Sequence, residues 1–342
     1  MLALEMSESQ EPLKISSASF QAELPSAVKN EVINAAKSVV KKYKSGVCDS
    51  FPVLKRPVIT WNNQNYRLDG DILSFPLWID GQSRRVYIPA VLTAYQRERL
   101  QSRLGSLRIT QKNGKWIAQI AVEMEIGQPA GQASMGVDLG LKVPAVVVAE
   151  TGKTRFFGNG RQNKYMKRRF RWKRKSLGKA KKQKVIKKIN NKEQRWMKDQ
   201  DHKISREIVN FAKANQVSRI RLEQLQNIRK TARTSRKNEK NLHTWSFYRL
   251  AQYIAYKAAL LGIIIEFVNP AYTSQTCPQC GERNRVKDRE YKCRCGFKSH
   301  RDRVGAMNIL CAPAASGYVQ RAYGSTGYGS TSYGSTDKRK PA

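Results

Sequence analysis

The first clear periodicity in the chain is helical. Residues 25–44 (PSAVKNEVINAAKSVVKKYK) carry apolar positions at helical spacing and predict a helix with a basic outer face. Residues 1–14 before it are polar and expected to be loose. Between 51 and 126 the pattern reads as strands. Val86, Ile88 and Val91 follow a polar turn, and Leu107–Lys112 and Lys115–Glu123 flank Asn113-Gly114, a strong short hairpin signal. This predicts a small β-rich domain over 51–132, ending in a Gly/Pro-containing joint at 127–132, with 1–50 as a polar segment and helix ahead of it.

From Ser134 onward strands and helices alternate, which predicts an α/β fold. Met135–Gly140 reads as a strand ending in a carboxylate and a turn. Ala145–Glu150 and Thr154–Phe157 read as the next two strands, and 161–215 as a long helical stretch. Ser218–Leu225 is a strand carrying Glu223. Trp245–Leu261 has the i, i+3, i+4 spacing of an amphipathic helix, which Gly262 ends. Ile263–Val268 is a further strand, and a helix is expected from about Arg301 to Cys311 with Asp302 in its first turn. The tail, 312–342, repeats Tyr-Gly-Ser-Thr at Tyr323, Tyr328 and Tyr333, lacks apolar mass and is expected to be disordered.

Charge narrows the partners. Across 342 residues, 64 Lys and Arg oppose 26 Asp and Glu, a formal net charge of +38. Such a field calls for a polyanion, with nucleic acid ahead of an anionic membrane surface. No apolar run of about 18 residues is present to span a bilayer, and the start lacks a signal-peptide pattern, so the expectation is a cytoplasmic protein without a membrane partner. The stretch 161–206 holds 20 Lys or Arg in 46 positions, among them Lys167, Arg168, Arg169, Arg171, Lys173, Arg174, Lys181 and Lys182. Like charges at i, i+4 repel, so such a run is at ease only against a polyanion. Phe170, Trp172 and Trp196 interleave with it and are expected to anchor the helices on the sheet rather than stack on bases.

The cysteines point to metal. Cys277 and Cys280 form a Cys-x-x-Cys knuckle, and Cys293 and Cys295 supply a second, tighter pair. Four thiolates complete the tetrahedron that Zn²⁺ prefers and leave no open position, so the site staples the fold and does not catalyse. His300 offers an alternative ligand, or a residue that helps the following helix begin. Cys48 and Cys311 lie outside the knuckles, and a chain this rich in other core formers fits a reducing compartment.

Three acidic residues, Asp138, Glu223 and Asp302, fall at strand or helix ends that a mixed sheet brings to one edge. Phosphodiester cleavage needs an activated water and a stabilised leaving oxygen, and paired divalent cations held by hard oxygen ligands supply both. Four segments make the chain resemble the TnpB/OrfB family of RNA-guided nucleases carried by insertion sequences, relatives of type V CRISPR effectors. They are Gly136-Val137-Asp138-Leu139-Gly140, Ile220-Arg221-Leu222-Glu223, VNPAYTSQTCPQCG at 268–281, and HRDRVGAMNI at 300–309.

The resemblance implies a RuvC-like (RNase H-type) mixed sheet split over 133–311. A basic helical hairpin at 161–215 and a Cys₄ zinc ribbon at 270–299 are inserted in it, and a small β-rich domain precedes it. By position, Asp138, Glu223 and Asp302 are the catalytic Mg²⁺ or Mn²⁺ ligands, and Cys277, Cys280, Cys293 and Cys295 hold structural Zn²⁺. The implied partners are a guide RNA from the same locus and a target double-stranded DNA whose heteroduplex lies on the basic stretch. The implied gene travels with a transposon under the label transposase.

Arg301 is expected either to touch the scissile phosphate or to pair with an acid, and Arg229, Arg233, Arg236 and Lys237 lie in a polar loop that, as the resemblance implies, gates the site. Relatives open with a strand and several helices, so 1–50 is read as the remnant of that lobe, in a compact or a truncated copy. The resulting expectation is an RNA-guided, metal-dependent DNA endonuclease. The competing readings are a truncated or repurposed protein that binds DNA or RNA without cutting, and a guide-independent RNase acting on its own transcript.

Overall fold

The structure, a computed structural model, describes residues 2–8, 15–46, 50–52, 58–112, 114–129, 131–189, 191–225, 246–286 and 288–320. Cys48, the loop with Arg229, Arg233, Arg236 and Lys237, and the Tyr-Gly-Ser-Thr repeats lie outside them. The chain divides into two compact units, Met1–Met124 and Glu125–Ala342.

In the first unit, α1 (Leu2–Glu8) lies against α2 (Ser26–Lys44), so this polar start is helical rather than loose. Two antiparallel three-stranded sheets follow. One orders β1 (Ile59–Trp61), β5 (Leu104–Lys112) and β6 (Lys115–Val122); the other orders β2 (Arg67–Asp69), β3 (Ile72–Ile79) and β4 (Gln82–Pro89). Ala27 and Val28 of α2 share a core with Trp61, Tyr66, Leu73, Phe75 and Leu107. The polar ends of its aromatics are satisfied, as burial requires: the Trp61 indole donates to Pro76 O (3.1 Å) and the Tyr66 hydroxyl to Gly105 O (2.8 Å). The turn before Val86 is Asp80-Gly81, with φ of 51° and 73°, the left-handed pair that suits a two-residue hairpin. The region is not all strand. Helix α3 (Ala94–Arg99) starts at a capping box in which Thr93 and Gln96 satisfy each other's backbone N–H groups.

The second unit is built on a six-stranded mixed sheet. Its strands are β7 (Ala133–Asp138), β8 (Ala145–Ala149), β9 (Thr154–Phe157), β10 (Val217–Glu223), β11 (Ile264–Val268) and β14 (Ala314–Gln320), in the order β14-β11-β10-β7-β8-β9. The β7–β10 and β10–β11 pairs are parallel and the other three antiparallel. The tail therefore begins later than expected: 314–320 adds an antiparallel edge strand to β11, whose open backbone groups an extended segment satisfies regardless of apolar mass.

The basic stretch folds as three helices, α4 (Gly160–Lys179), α5 (Gln183–Ile189) and α6 (Lys192–Ala214); α7 (Phe247–Ala259) precedes β11. Period-two alternation assigns the two faces of the sheet. Met135, Val137, Ala145, Val147, Ile220, Leu222 and Ile265 join the core that includes α6 and α7, whereas Val146 and Val148 pack with Ala306 of α8 (Arg301–Cys311). Between α6 and α7 the buried Asp201 accepts from Arg249 (2.7 Å) and Ser246 (3.2 Å), so its charge is compensated. Lys257, also buried, donates to His202 O and Ser205 Oγ (both 2.6 Å), and burial pulls its ammonium down to about 8.

Between β11 and α8 sits a small ribbon. Its hairpin pairs β12 (Glu290–Lys292) with β13 (Lys298–His300), and its core is Cys277, Tyr291, Cys293 and Val304 of α8. No helix among the described residues is long and apolar enough to cross a membrane.

Candidate functional site

Alternation along β7 sends Met135 and Val137 into the core with α6 and α7, which leaves Gly136 and Asp138 on the face toward α8. On the neighbouring parallel strand the same alternation leaves Arg221 and Glu223 on that face. Arg221 pairs with Glu266 of β11 (2.9 Å) and donates to the carbonyl of Leu310 (2.5 Å), so a cation meets the last turn of α8 where its free carbonyls gather.

The helix crosses β7 very closely. A Cβ on Gly136 would stand 2.2 Å from the carbonyl oxygen of Ala306, and one on Gly305 would stand 3.0 Å from Oδ2 of Asp138. Glycine at both positions is what brings the first turn of α8, with Asp302, toward the end of β7. Gly136→Ala is expected to force the two backbones apart and destabilise the unit by about 3 kcal/mol, the upper end for overpacking, read as a lower urea midpoint at unchanged slope. Equal midpoints for the variant and the parent would show that α8 yields freely.

Asp138 therefore faces both other acids. Burial, and then the charges of Glu223 and Asp302, push its carboxyl well above the usual carboxylate range, with Arg289 and Arg301 opposing. Burial also raises Glu223, against the hydrogen bond that Thr273 Oγ1 donates to its Oε1. Asp302 is held by Arg289, whose Nη1 reaches both carboxylate oxygens. The carboxylate oxygens of these three residues do not gather within 4.8 Å of one another as the cysteine sulfurs below do. Asn308 of α8 donates to the carbonyls of Thr273 (2.6 Å) and Thr276 (2.8 Å), tying the loop that carries Thr273 to the helix that carries Asp302.

Among the described residues Arg301 forms no ion pair with an acid. It donates to Val286 O (3.1 Å) and Ser274 Oγ (3.5 Å) and so fastens the ribbon. His300 is the N-cap of α8, its Nδ1 accepting from the Asp302 N–H (3.2 Å), and it lies outside the cluster of four cysteines.

The four predicted cysteines form the cluster of possible metal ligands among the described residues, with ligand atoms all within 4.8 Å of one another. Cys277 and Cys295 sulfurs lie 3.7 Å apart and Cys280 and Cys293 sulfurs 3.5 Å, far outside a disulfide bond. Three of the sulfurs are met by backbone N–H groups two residues further on: Cys280 by Glu282, Cys293 by Cys295, and Cys295 by Phe297. Amide donors of this kind favour thiolate. The Cys295 N–H, followed by the other thiols, draws Cys293 down to about 7, whereas, against the Glu282 N–H, burial and the neighbouring thiols push Cys280 up to about 12. This donor set fits a structural zinc, and the Cys-x-Cys spacing does not prevent it.

The basic stretch splits between inward and outward uses. Arg174 pairs with Glu193 of α6 (2.6 Å), and Lys167 is partly buried near Glu193 and Asp201, which draws its ammonium down through burial. Arg168, Arg169, Arg171, Lys173, Lys181 and Lys182 are exposed. Phe170 and Trp196 are half-buried as expected, but Trp172 is 69% exposed and does not anchor the helix. The missed contributors are Gly136, Thr273, Arg289, Gly305 and Asn308. Gly305 inside a helical pattern was the legible signal, since an interior helical glycine needs a packing reason.

Comparison with known proteins gives two matched segments. Residues 119–229 match the OrfB_IS605 family model, described as a probable transposase, and residues 247–309 match the Cas12f1-like TNB domain. The CRISPR-associated endodeoxyribonuclease Cas12f1 of Sulfoacidibacillus thermotolerans is 28% identical over 218 residues, 58% of this chain and 50% of that protein. The TnpB-like protein MJ0751 of Methanocaldococcus jannaschii is 35% identical over 129 residues, 37% of this chain and 46% of that protein. The chain thus spans about half the length of these curated relatives. Among solved structures, the Cas12f1–sgRNA–target DNA complex aligns with a TM-score of 0.44 at 20% identity, covering 83% of this chain and 79% of that one. In both matched segments, the one that carries Asp138 and Glu223 and the one that carries the cysteines and Asp302, this chain is similar to OrfB/TnpB and Cas12f1 proteins.

Proposed function

We propose that this protein is an RNA-guided, divalent-metal-dependent DNA endonuclease of a transposable element. The observation that carries the reading is the meeting of Asp138, Glu223 and Asp302, from three distant parts of the chain, at one end of the mixed sheet. The strand order, with three antiparallel strands and two parallel ones beyond the first, supports an RuvC-like, RNase H-type sheet. The relatives' names supply the guide RNA and the DNA.

The donor set fits hard cations: three carboxylates in one place, two of them raised by burial, lack enough positive charge of their own. Asp138, Glu223 and Asp302 would hold Mg²⁺ or Mn²⁺, which when bound activates water and stabilises the leaving oxygen. Thr273 orients Glu223, Arg289 orients Asp302, and the Gly136–Gly305 crossing sets the distance of Asp302 from Asp138.

The outward cations Arg168, Arg169, Arg171 and Lys173 would follow the phosphates of the guide–target heteroduplex without reading sequence. Changing these four to glutamine is expected to flatten the log affinity against log salt plot by about 3 to 4 for a duplex. An unchanged slope would remove this helix from the interface.

The decisive experiment is plasmid cleavage in Mg²⁺ by protein co-expressed with RNA from its own locus, with Asp138→Ala and EDTA as controls. Guide-matched cutting that both controls abolish is the expected result. The second reading, a protein that holds nucleic acid without cutting, draws on Arg289, which already engages both oxygens of Asp302. Co-purifying RNA with no cutting would favour it, and cutting of RNA without DNA would indicate an RNase.

A further inference from the structure

Tyr272 has a backbone φ of 62°, in the left-handed region that a bulky aromatic residue rarely adopts. The conformation is held by hydrogen bonds to its carbonyl from the Gln275 N–H (2.9 Å), the Thr276 N–H (3.0 Å) and the Thr276 hydroxyl (3.1 Å). Asn308 pins the same turn to α8 through the carbonyls of Thr273 and Thr276. A glycine would sit here without strain, so a tyrosine at this position comes at a cost to the fold.

The turn separates two neighbours. Thr273 is buried and donates to Glu223, whereas the Tyr272 ring remains 48% exposed. Its hydroxyl makes no hydrogen bond among the described residues. The Arg283 guanidinium lies over the ring, 3.8 Å from its centroid, and so fixes its orientation and adds positive charge beside it. A rigid, half-open aromatic ring thus stands one residue from the group that orients a site carboxylate. In a duplex both faces of each base are occupied by stacking, so such a ring can engage only an unpaired base.

We infer that Tyr272, backed by Arg283, is a stacking platform for one unpaired nucleobase of the DNA strand that enters the Asp138–Glu223–Asp302 site, and so positions that strand. This inference rests on the nuclease reading above.

The test uses the full chain with its guide RNA, in Mg²⁺, on single-stranded target oligonucleotides carrying an abasic nucleotide at each position in turn across the cut. Tyr272→Gly removes the ring and relieves the backbone, while Tyr272→Phe keeps the ring. Tyr272→Asn, which tolerates the left-handed region, replaces the glycine variant should that one fail to fold.

Tyr272→Gly is expected to cut about ten-fold more slowly than the parent, with Tyr272→Phe at the parental rate. An abasic nucleotide at one position should slow the parent by the same factor and slow Tyr272→Gly no further. Equal rates for Tyr272→Gly and the parent, or an abasic scan that affects both alike at every position, would overturn the inference. If the parent does not cut, the nuclease reading fails, and stacking is then decided in EDTA with 2-aminopurine oligonucleotides. Quenching kept by Tyr272→Phe and lost by Tyr272→Gly sustains the platform; equal quenching in all three proteins removes it.

Discussion

Replacing Asp138 by asparagine is expected to abolish strand cutting and to raise the melting temperature of the metal-free protein. Both effects come from the crowding of this carboxyl. It stands at the end of β7 beneath Gly305, faces Glu223 and Asp302, and is pushed well above the usual carboxylate range by burial and by those two charges. Its folded-state value exceeds its unfolded value, so its ionisation opposes folding once the pH is above the unfolded value of about 3.9. Below that pH the group is protonated in both states and the penalty vanishes.

Asparagine keeps the shape and removes the charge. In EDTA at pH 8 the variant should therefore melt higher, by about 2–4 °C for each kcal/mol relieved in a unit of this size, and the gain should disappear near pH 4. Cutting in Mg²⁺ should fall by at least about 100-fold, since even residues one step removed from a metal cost 10- to 100-fold. A stabilised, inactive variant is the signature of a group kept for chemistry at the expense of stability. Retained cutting would reduce Asp138 to a turn residue. A lower melting temperature at pH 8 would mean that Arg289 and Arg301 outweigh the two acids.

Loss of zinc should have the largest structural effect. The ribbon has four buried core side chains, Cys277, Tyr291, Cys293 and Val304, and two of them are proposed ligands. A core of this size does not hold a fold, whereas a structural zinc contributes about 10–16 kcal/mol in isolated finger peptides. Cys293→Ser is expected to reduce bound zinc from about one ion per chain to near none, by elemental analysis. The segment 271–300 should then become fully accessible to amide exchange.

The damage should spread to α8. Val304 is shared with the ribbon core, and Arg301, Arg289 and Asn308 all cross between ribbon and helix. Exchange along 301–311 should accelerate and cutting should be lost, even though the variant touches none of the three carboxylates. A parent that purifies without zinc and matches Cys293→Ser in exchange would end the metal assignment. Exchange confined to 271–300 would show that α8 stands on the sheet alone.

Those effects depend on features of unequal visibility in the sequence. Short-range patterns were legible because their causes are local. The spacing of Cys277, Cys280, Cys293 and Cys295 suffices to converge four sulfurs, since each knuckle is a turn a few residues long. The runs at 133–138, 145–149, 217–223 and 264–268 became the sheet, because a strand is marked locally either by continuous apolar residues, as at 145–149, or by apolar residues at alternate positions, as at 217–223. One local signal was present yet overlooked: the Thr93–Gln96 capping box that starts α3.

By itself, then, the sequence determined the order of the five strands from 133 to 268 and of the helical stretches around them, the sulfur cluster, the excess of positive charge and the three acids placed at element ends. Tertiary structure alone decided how these meet. It set α8 against β7 through Gly136 and Gly305, assigned Arg289 rather than Arg301 to Asp302, and turned Arg174 toward Glu193 while leaving Trp172 in solvent. It also recruited 314–320 to the sheet. The physical reason is range. Turn chemistry, periodicity and ligand spacing act within about a dozen residues, whereas close backbone approach and ion pairing depend on which surfaces the packed core brings face to face.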